Sequence, residues 1–489
     1  MGRLPYTILH ISDLHRSPAD PIGNDELLSS LVSDFERAAT EEPTFGLPDA
    51  IVISGDLVQG VRLGEPNHEA IIHAQYEIAL DLVLRLCDRF LDGDRSRLVI
   101  VPGNHDVDWN VAFSAMQPIP DADLVASPIR PHDMGPRADI RWDWRDRTAY
   151  RIVDRARYEA RLDHYRRFVA EVYGGVALRY AVDPGAGYAL FELGGGRIGV
   201  AAFNSCSGND CFAFHGAIAD ESLAQAHMDL HDRGSQYDVL MAVWHHSLEG
   251  PPEATDYMDV AAFYNLIGKG FRLGLHGHQH RGQISSRYIH LPRMEPMAVV
   301  SAGSLCAGPV DLPTGVNRQY NVLEVADDCR SVRVHVREMA VGTVFAPSLR
   351  ADLGGKGHVD MDIAAPLSPI APTRLRTNAV VVEAEELLKS GDAAGALGAL
   401  RSLDLTTVSY ARTLALKAAA DAEDWTGVIG IAIPPQTIEE LVGASKALAL
   451  QGRFDDASAV LDEYSATLAF DPAAEADVRN FVAAKKAMA

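Results

Sequence analysis

Five short segments rich in Asp, His and Asn occur in the first 280 residues, and each follows directly on a short apolar run. They are SDLH (12–15), GDLV (55–58), GNHD (103–106), WHHS (244–247) and GHQH (277–280). Short apolar runs bounded by turn residues are typical of strands buried on both faces. Since the carboxyl ends of parallel strands meet at one edge of a sheet, we expect the five segments to converge on one cleft.

Such runs alternate with helical periodicity through residues 1–340. Tyr6–Ile11 and Ala50–Ile53 have the composition of strands, whereas Asn24–Thr40 and His68–Phe90 carry apolar residues at helical spacing. This alternation predicts an α/β domain that ends near residue 340.

Residues 107–190 fit the alternation poorly, and we interpret them as an insertion beside the cleft. From Arg130 to Arg167 there are 11 arginines against 7 acidic residues. One interpretation is a solvated helix whose charges pair, as Arg155 and Glu159 would at i,i+4. The other is a phosphate-contacting surface. The chain would need such a surface to bind nucleic acid tightly, because its formal net charge is −23.

The last third of the chain changes character. Residues 341–378 are rich in Gly and Pro, which is typical of a linker, and we place a domain boundary there. Residues 379–489 are rich in Ala and Leu with helical periodicity, which predicts an all-α domain. Within it, EELLKSGDAAGALGAL and KALALQGRFDDASAVL share a frame, so tetratricopeptide-like hairpins and a plain helical bundle both stay open. This domain carries no cluster of chemically reactive residues, so we expect it to bind a protein partner.

The five polar segments supply a candidate ligand set of two Asp, four His and one Asn, without Cys. Imidazole and carboxylate ligands without thiolates suit Mn, Fe, Zn, Ni or Co in a catalytic site rather than a structural zinc site. Asp13 and His15 stand at i,i+2, so both project to the same side of an extended chain, and His278 and His280 share this spacing. The segments therefore predict a metal centre.

In this order, DxH, GDxx, GNHD, a strand-ending His and GHxH resemble the calcineurin-like metallophosphoesterase superfamily, over roughly residues 4–340. The resemblance implies a four-layer α/β/β/α sandwich that binds two divalent ions, with Mn²⁺ as the expected metal. It implies that the first ion is held by Asp13, His15, Asp56 and His280. The second ion would be held by Asp56, Asn104, His245 and His278, with Asp56 bridging the two.

Further assignments come from the same resemblance. His245 is preferred to His246 because the family's ligand stands directly where the strand ends. His105 matches a non-ligand histidine that contacts the substrate phosphate and protonates the leaving group. Asp106 is expected to orient the ring of His105, as carboxylates commonly do for catalytic histidines.

The implied activity is hydrolysis of a phosphodiester, in a nucleotide or a nucleic acid. Gln59 stands where purple acid phosphatases carry a Tyr, and GDLVQG and GNHD depart from the VDRG and GNHE blocks of Ser/Thr protein phosphatases. The segments are similar instead to class III cyclic-nucleotide phosphodiesterases and to Mre-type DNA nucleases. A nucleotide-binding signalling or scaffold protein is the alternative from another class.

Composition also bears on location. Five cysteines are scattered without a CxxC pair, which favours reduced thiols and the cytoplasm over a disulfide framework. The opening MGRLPYTILHISDLH runs straight into a strand without an apolar leader segment. No stretch approaches the roughly 20 apolar residues of a membrane helix, so we expect no membrane partner.

Overall fold

The chain forms two compact units. One comprises Met1–Tyr288 and Pro296–Leu367, and the other comprises Ile289–Glu295 and Ser368–Ala489. The structure, a computed structural model, describes residues 5–41, 43–120, 122–123, 129, 138–232, 237–249, 256–290, 294–308, 311–339, 342–364, 372–406, 408–468 and 470–488.

Short apolar runs form most of the strands, and several are buried along their whole length because sheets or helices cover both faces. The strands are β1 Tyr6–Ile11, β2 Ala50–Ile53, β3 Leu98–Ile100, β4 Met116–Pro118, β5 Ile140–Asp143, β6 Thr148–Ile152, β7 Tyr188–Leu193, β8 Ile198–Phe203, β9 Val239–Val243, β10 Phe271–His276, β11 Gln283–His290, β12 Met294–Ser301, β13 Gln319–Val325, β14 Ser331–Met339, β15 Phe345–Pro347 and β16 His358–Asp362. The helices that accompany them are α1 Asn24–Ala38, α2 His68–Leu91, α3 Trp109–Ser114, α4 Arg155–Glu159, α5 Asp163–Tyr173, α6 Asp220–Asp232 and α7 Val260–Gly268.

The strands form two large mixed sheets and one small sheet. The first large sheet has the order β15-β14-β13-β1-β2-β3, with β16 also paired to β14, and its strands β1, β2 and β3 run parallel. The second has the order β11-β12-β10-β9-β8-β7, and its strands β8, β9, β10 and β12 run parallel. Each large sheet therefore brings the carboxyl ends of its parallel strands to one edge, which is where the polar segments begin.

Apolar side chains of both large sheets and of α1 and α2 join in one buried cluster. Helix α6 packs against β7 and β8, and α7 packs against β10. Two mixed sheets with flanking helices confirm the predicted α/β class with its α/β/β/α layers.

The expected insertion contains the small antiparallel sheet β4-β6-β5 and helices α3, α4 and α5. Two of its arginines are internal. Arg141 is 3% exposed and donates to Asp210 Oδ2 at 2.5 Å and to the Tyr158 hydroxyl at 3.0 Å. Arg161 is 1% exposed and donates to carbonyl oxygens within residues 206–209. These contacts tie the insertion to the loop that follows β8.

The two surface interpretations of the Arg-rich segment are therefore wrong for Arg141 and Arg161. The expected pair of Arg155 with Glu159 is present at 3.7 Å. Sequence composition does not distinguish an internal arginine from an exposed one, because the difference lies in tertiary partners. Residues 130–137 of this segment lie outside the described residues.

The expected linker is also corrected in part. Strands β15 and β16, inside residues 341–378, both pair with β14, for example through Arg333 opposite Asp360. The glycines that suggested a linker form the turn between these strands, where Gly354 and Gly357 have φ of +76° and +72°. The boundary expected at residue 341 is therefore too early, and the first unit continues past β16.

The C-terminal region is helical, as predicted. Its helices are α8 Pro372–Lys389, α9 Ala393–Leu400, α10 Ser409–Asp421, α11 Trp425–Ala432, α12 Ile438–Leu450, α13 Phe454–Tyr464 and α14 Pro472–Met488. Each packs against the next, and the repeated small and apolar positions Ala396, Leu400, Ala457 and Leu461 are all buried. Tetratricopeptide-like repeats stay a prediction. Within the described ranges, no helix combines the length and the apolar composition needed to cross a membrane.

A buried ion pair joins α1 to β14. Arg337 donates to both carboxylate oxygens of Asp34, at 2.7 and 2.8 Å, and the Tyr320 hydroxyl donates to the same carboxylate. Loss of Arg337 would leave the buried Asp34 carboxylate with only the partly exposed Arg37, which donates to it at 2.7 Å, so we expect Arg337→Met to destabilise the first unit by about 3 kcal/mol in urea unfolding. Arg333→Met is the control, because its pair with Asp360 is solvent-exposed and should contribute only about 0–1 kcal/mol. Equal losses in both variants would contradict this account.

Candidate metal centre

The polar segments are joined where their strands end. The Asp13 amide donates to the Gly55 carbonyl at 3.0 Å, which links the turns after β1 and β2. The Gly277 amide donates to the His245 carbonyl at 3.1 Å, which links the turns after β9 and β10. Between the two sheets, the His278 amide donates to the Asp13 carboxylate at 3.1 Å. The His105 amide donates to Asp56 Oδ1 at 2.8 Å, so the GNHD segment joins the other four and the five segments meet in one site.

An unusual backbone marks this site. Residues with side chains rarely adopt positive φ, and such conformations persist only where the surroundings enforce them. Five of the candidate ligands have φ between +45° and +79°, namely Asp13, His15, Asp56, His278 and His280.

Two glycines allow the backbone to approach the ligands. A Cβ at Gly55, whose φ is +102°, would lie 2.5 Å from the His245 ring nitrogen Nδ1. A Cβ at Gly103 would lie 2.2 Å from Asp56 Oδ1. Both contacts are too short for any side chain, so these glycines are required by the packing of Asp56 and His245.

A first cluster consists of Asp13, His15, Asp56 and His280. Each offers one ligand atom, and these atoms all lie within 4.8 Å of one another. His15 Nε2 is 2.9 Å from His280 Nε2 and 3.7 Å from Asp56 Oδ2. His280 Nε2 is 3.4 Å from Asp13 Oδ1. The arrangement can hold a metal ion.

A second cluster adjoins the first at Asp56. Asn104 Oδ1 is 3.0 Å from His245 Nε2 and 2.9 Å from His278 Nδ1. His245 Nε2 is also 3.2 Å from Asp56 Oδ2. One oxygen of Asp56 therefore lies between a histidine of each cluster.

Outer contacts orient the rings of these histidines. His245 Nδ1 donates to the Ser54 carbonyl at 2.8 Å, and His280 Nδ1 donates to the Asp311 carbonyl at 2.6 Å. His278 Nε2 lies 2.9 Å from Asp256 Oδ2. Such partners fix the tautomer and ring plane of a ligand histidine. Sequence reasoning missed Asp256 and Asp311, since both lie in loops without a recognisable motif.

The adjacent residues His245 and His246 have different partners. His246 is fully buried, and its Nδ1 donates to the Ser205 hydroxyl at 2.9 Å while its Nε2 accepts from the Asn209 amide at 3.3 Å. The Ser205 hydroxyl also accepts from the His245 amide at 3.1 Å. His245 thus lies with the candidate ligands, and His246 supports it from behind.

One expectation about the GNHD segment is wrong. His105 Nδ1 donates to the Gln59 carbonyl at 2.7 Å rather than to Asp106. The Asp106 carboxylate accepts instead from the Gly103 amide at 2.8 Å and from the Tyr76 hydroxyl at 2.8 Å. Residues 104–106 form a 3₁₀ turn, which directs consecutive side chains to different sides. Burial, together with nearby Asp56, raises the pKa of Asp106 to about 7.

The charges in the site are strongly coupled. Burial opposes ionisation of Asp56, yet His245 and His105 hold its pKa well below the usual range. Burial also opposes protonation of His245 and His280, yet Asp56 and Asp13 raise their pKa values to about 9. Burial and the nearby His105 lower the pKa of His15 to about 3. The metal-free site therefore holds two imidazolium–carboxylate pairs, and a cation that displaces the two protons would keep the carboxylates neutralised.

An α/β sandwich with carboxylates and imidazoles gathered at its strand ends defines the class of metal-dependent hydrolases. Calcineurin-like phosphoesterase is the family that matches the chain, over residues 6–282 and thus more than half of its 489 residues. The chain belongs to this family, whose members hydrolyse phosphoesters with a dinuclear metal centre.

Solved structures give distant matches. A dimetal phosphatase from Danio rerio is 10% identical with a TM-score of 0.37, covering 74% of this chain and 100% of its own. YfkN, a calcineurin-like phosphoesterase from Bacillus subtilis, is 13% identical with a TM-score of 0.28, covering 74% and 91%. Vps29 from Chaetomium thermophilum is 11% identical with a TM-score of 0.23, covering 75% and 99%. No curated protein matches the chain.

The protons on His245 and His280 predict how metal affinity depends on pH. Because both pKa values are about 9, binding of Mn²⁺ must release two protons below that pH. We expect the overall affinity for two Mn²⁺ ions, each of which displaces one proton, to rise with pH by up to about 100-fold per unit in titration calorimetry. His280→Gln should roughly halve the logarithmic slope, while His73→Gln, which changes an exposed histidine, should leave it unchanged.

The same protons affect the metal-free fold. A raised pKa contributes stability that is complete below the ordinary value of 6.5 and is lost as the pH rises through about 9. The Tm of the metal-free protein should therefore fall across this window, while the Tm increase caused by Mn²⁺ grows. A Tm increase independent of pH would contradict the assignment of these two histidines.

Proposed function

We propose that the chain hydrolyses phosphodiesters of nucleotide type at a site for two divalent ions, Mn²⁺ above all, with Fe, Zn, Ni or Co as alternatives. The first ion would be held by Asp13, His15, Asp56 and His280, and the second by Asp56, Asn104, His245 and His278. One observation carries the proposal: Asp56 Oδ2 lies 3.7 Å from His15 Nε2 and 3.2 Å from His245 Nε2. A carboxylate that borders both clusters is what a bridging ligand requires.

The donor chemistry fits two cations. His15 Nε2 and His280 Nε2 lie 2.9 Å apart, and Asp13 Oδ1 lies 3.4 Å from His280 Nε2, so nitrogen and oxygen donors converge on one place. Asn104 Oδ1 likewise meets nitrogens of both His245 and His278. Oxygen and imidazole donors without thiolates suit Mn²⁺ and related ions in a catalytic site.

When bound, the two ions supply Lewis acidity for the phosphoryl oxygens and a water of lowered pKa. The chain's own contribution is to place a proton donor beside them. His105 donates its Nδ1 proton to the Gln59 carbonyl, so when the ring is doubly protonated its Nε2–H can protonate the departing oxygen, which leaves a neutral imidazole. Its ring stands edge-on to His15, with centroids 4.5 Å apart, so it borders the first cluster. Asp106 acts through the backbone, because it holds the Gly103 amide and thereby the GNHD turn.

Charge supports a small diester over a long nucleic acid. The formal net charge is −23, which repels a phosphate backbone unless a basic patch compensates. Arg141 and Arg161 are buried in internal contacts, and Arg166 pairs with Asp163 at 2.7 Å. These three arginines of the expected basic patch are thus already engaged within the protein. A nuclease in a multiprotein complex is the alternative, and the helical C-terminal region is proposed to bind a protein partner.

The five cysteines are buried and free. This supports a reducing compartment, and we propose the cytoplasm.

Loss of Asp56 tests the bridging role. With Mn²⁺ present, we expect Asp56→Asn to lower hydrolysis of bis-(p-nitrophenyl) phosphate by at least about 100-fold, since even outer partners of metal ligands often cost 10–100-fold. Asp88→Asn, on the exposed side of α2, is the control for the same chemical change. Near-normal activity of metal-loaded Asp56→Asn would overturn the assignment.

A substrate panel tests the remainder of the proposal. The wild-type protein with Mn²⁺ should hydrolyse bis-(p-nitrophenyl) phosphate and a cyclic or ester-linked mononucleotide faster than single- or double-stranded DNA. Preferential cleavage of DNA would favour the nuclease, and hydrolysis of none of them would favour a binding protein.

A further inference from the structure

Two aromatic rings belong to segments that adjoin the second cluster, and the proposed chemistry does not use them. Trp109 begins α3, four residues after His105, and Phe214 lies in the loop that follows β8. Their ring centroids are 5.7 Å apart with the planes tilted by 54°. Phe214 is 40% exposed, so part of this large apolar side chain is accessible from solvent.

Short contacts link the backbone of Phe214 to the second cluster. The Asn209 amide donates to the Phe214 carbonyl at 2.9 Å and to His246 Nε2 at 3.3 Å. The His246 ring lies 5.4 Å from that of His245 and 5.1 Å from that of His278, measured between centroids. The contacts of Asn209 and His246 therefore connect the backbone of Phe214 to two candidate ligands.

The loop that carries Phe214 is held rigidly. Asp210 accepts from Arg141 at 2.5 Å and from the Tyr158 hydroxyl at 2.7 Å, and all three side chains are buried. Arg161 donates to carbonyl oxygens within residues 206–209 of the same loop. A ring on a preorganised loop loses little conformational entropy when a ligand stacks on it. The internal arginines thus have a role in shaping the rim of the site.

We propose that Phe214, backed by Trp109, stacks against the base of a nucleotide whose phosphodiester lies at the metal centre. The inference rests on the proposed function and narrows its substrate to a nucleotide-sized diester. A flat π-face next to a phosphoester site matches a nucleoside, because every base offers such a face within reach of its phosphate. The strongly negative net charge favours a single nucleotide over a polynucleotide, whose many phosphates would be repelled.

Two diesters with the same leaving group test the proposal. Thymidine 5′-monophosphate p-nitrophenyl ester and methyl p-nitrophenyl phosphate differ only in the nucleoside. We expect Phe214→Ala to raise KM for the nucleoside ester by about 5- to 100-fold, the range for loss of one base stack. KM for the methyl ester should change by less than about two-fold. Phe214→Trp should retain the preference, and Phe214→Leu, which keeps apolar bulk without a π-face, should lose it.

A matched control uses another exposed aromatic. Trp144 is 80% exposed in the insertion of residues 107–190, where its ring contacts Trp142. Trp144→Ala should leave KM for both diesters unchanged. Equal losses on both diesters in Phe214→Ala would mean that the ring supports the metal centre or contacts the leaving group, and would overturn the inference. No change on either diester would overturn it as well.

A binding measurement separates this inference from the proposed function. Titration calorimetry of the Mn²⁺-loaded protein should show that thymidine 5′-monophosphate binds more tightly than methyl phosphate, and that Phe214→Ala removes the difference. Hydrolysis of both diesters with no such binding difference would overturn the inference and leave the phosphodiesterase standing. A binding difference without any hydrolysis would support the aromatic site and overturn the proposed phosphodiesterase activity.

Discussion

The carboxylate of Asp56 is the group on which the site depends. It is 1% exposed, at the point where the turn after β2 meets the turns of the second sheet. A buried carboxylate is costly unless charges and hydrogen bonds compensate it. Here His245 and His15 lie within 3.7 Å, and the His105 amide donates to it at 2.8 Å. The sandwich is thus organised so that both sheets contribute partners to one anion.

The histidine pair after β9 links this anion to the surroundings of the site. His245 Nε2 lies 3.2 Å from Asp56 Oδ2. His246 accepts a hydrogen bond from Asn209, which belongs to the loop after β8. The insertion holds that loop through Arg141 and Arg161, two buried cations. In this acidic chain, Arg141 and Arg161 therefore stabilise an internal loop instead of binding phosphate. This support sets the position of the Phe214 backbone.

The predictions from sequence succeeded where structure is local. The apolar runs became strands, and the polar segments meet because parallel strands bring their ends together. The prediction for Asp106 was wrong, since a 3₁₀ turn separates neighbouring side chains and the Gln59 carbonyl holds His105 instead. The positions of Asp256, Arg141 and Arg161 depend on tertiary partners, which the spacing of residues in the sequence does not reveal. The linker was misjudged because glycine-rich composition does not show whether short strands such as β16 find an antiparallel partner.

Diffraction from crystals of the Mn²⁺-loaded protein at the manganese absorption edge tests the central claim most directly. The account predicts two anomalous peaks, with Asp56 bound to both. One peak should contact Asp13, His15 and His280, and the other should contact Asn104, His278 and His245 rather than His246. A single peak, or two peaks that do not share Asp56, would contradict the account.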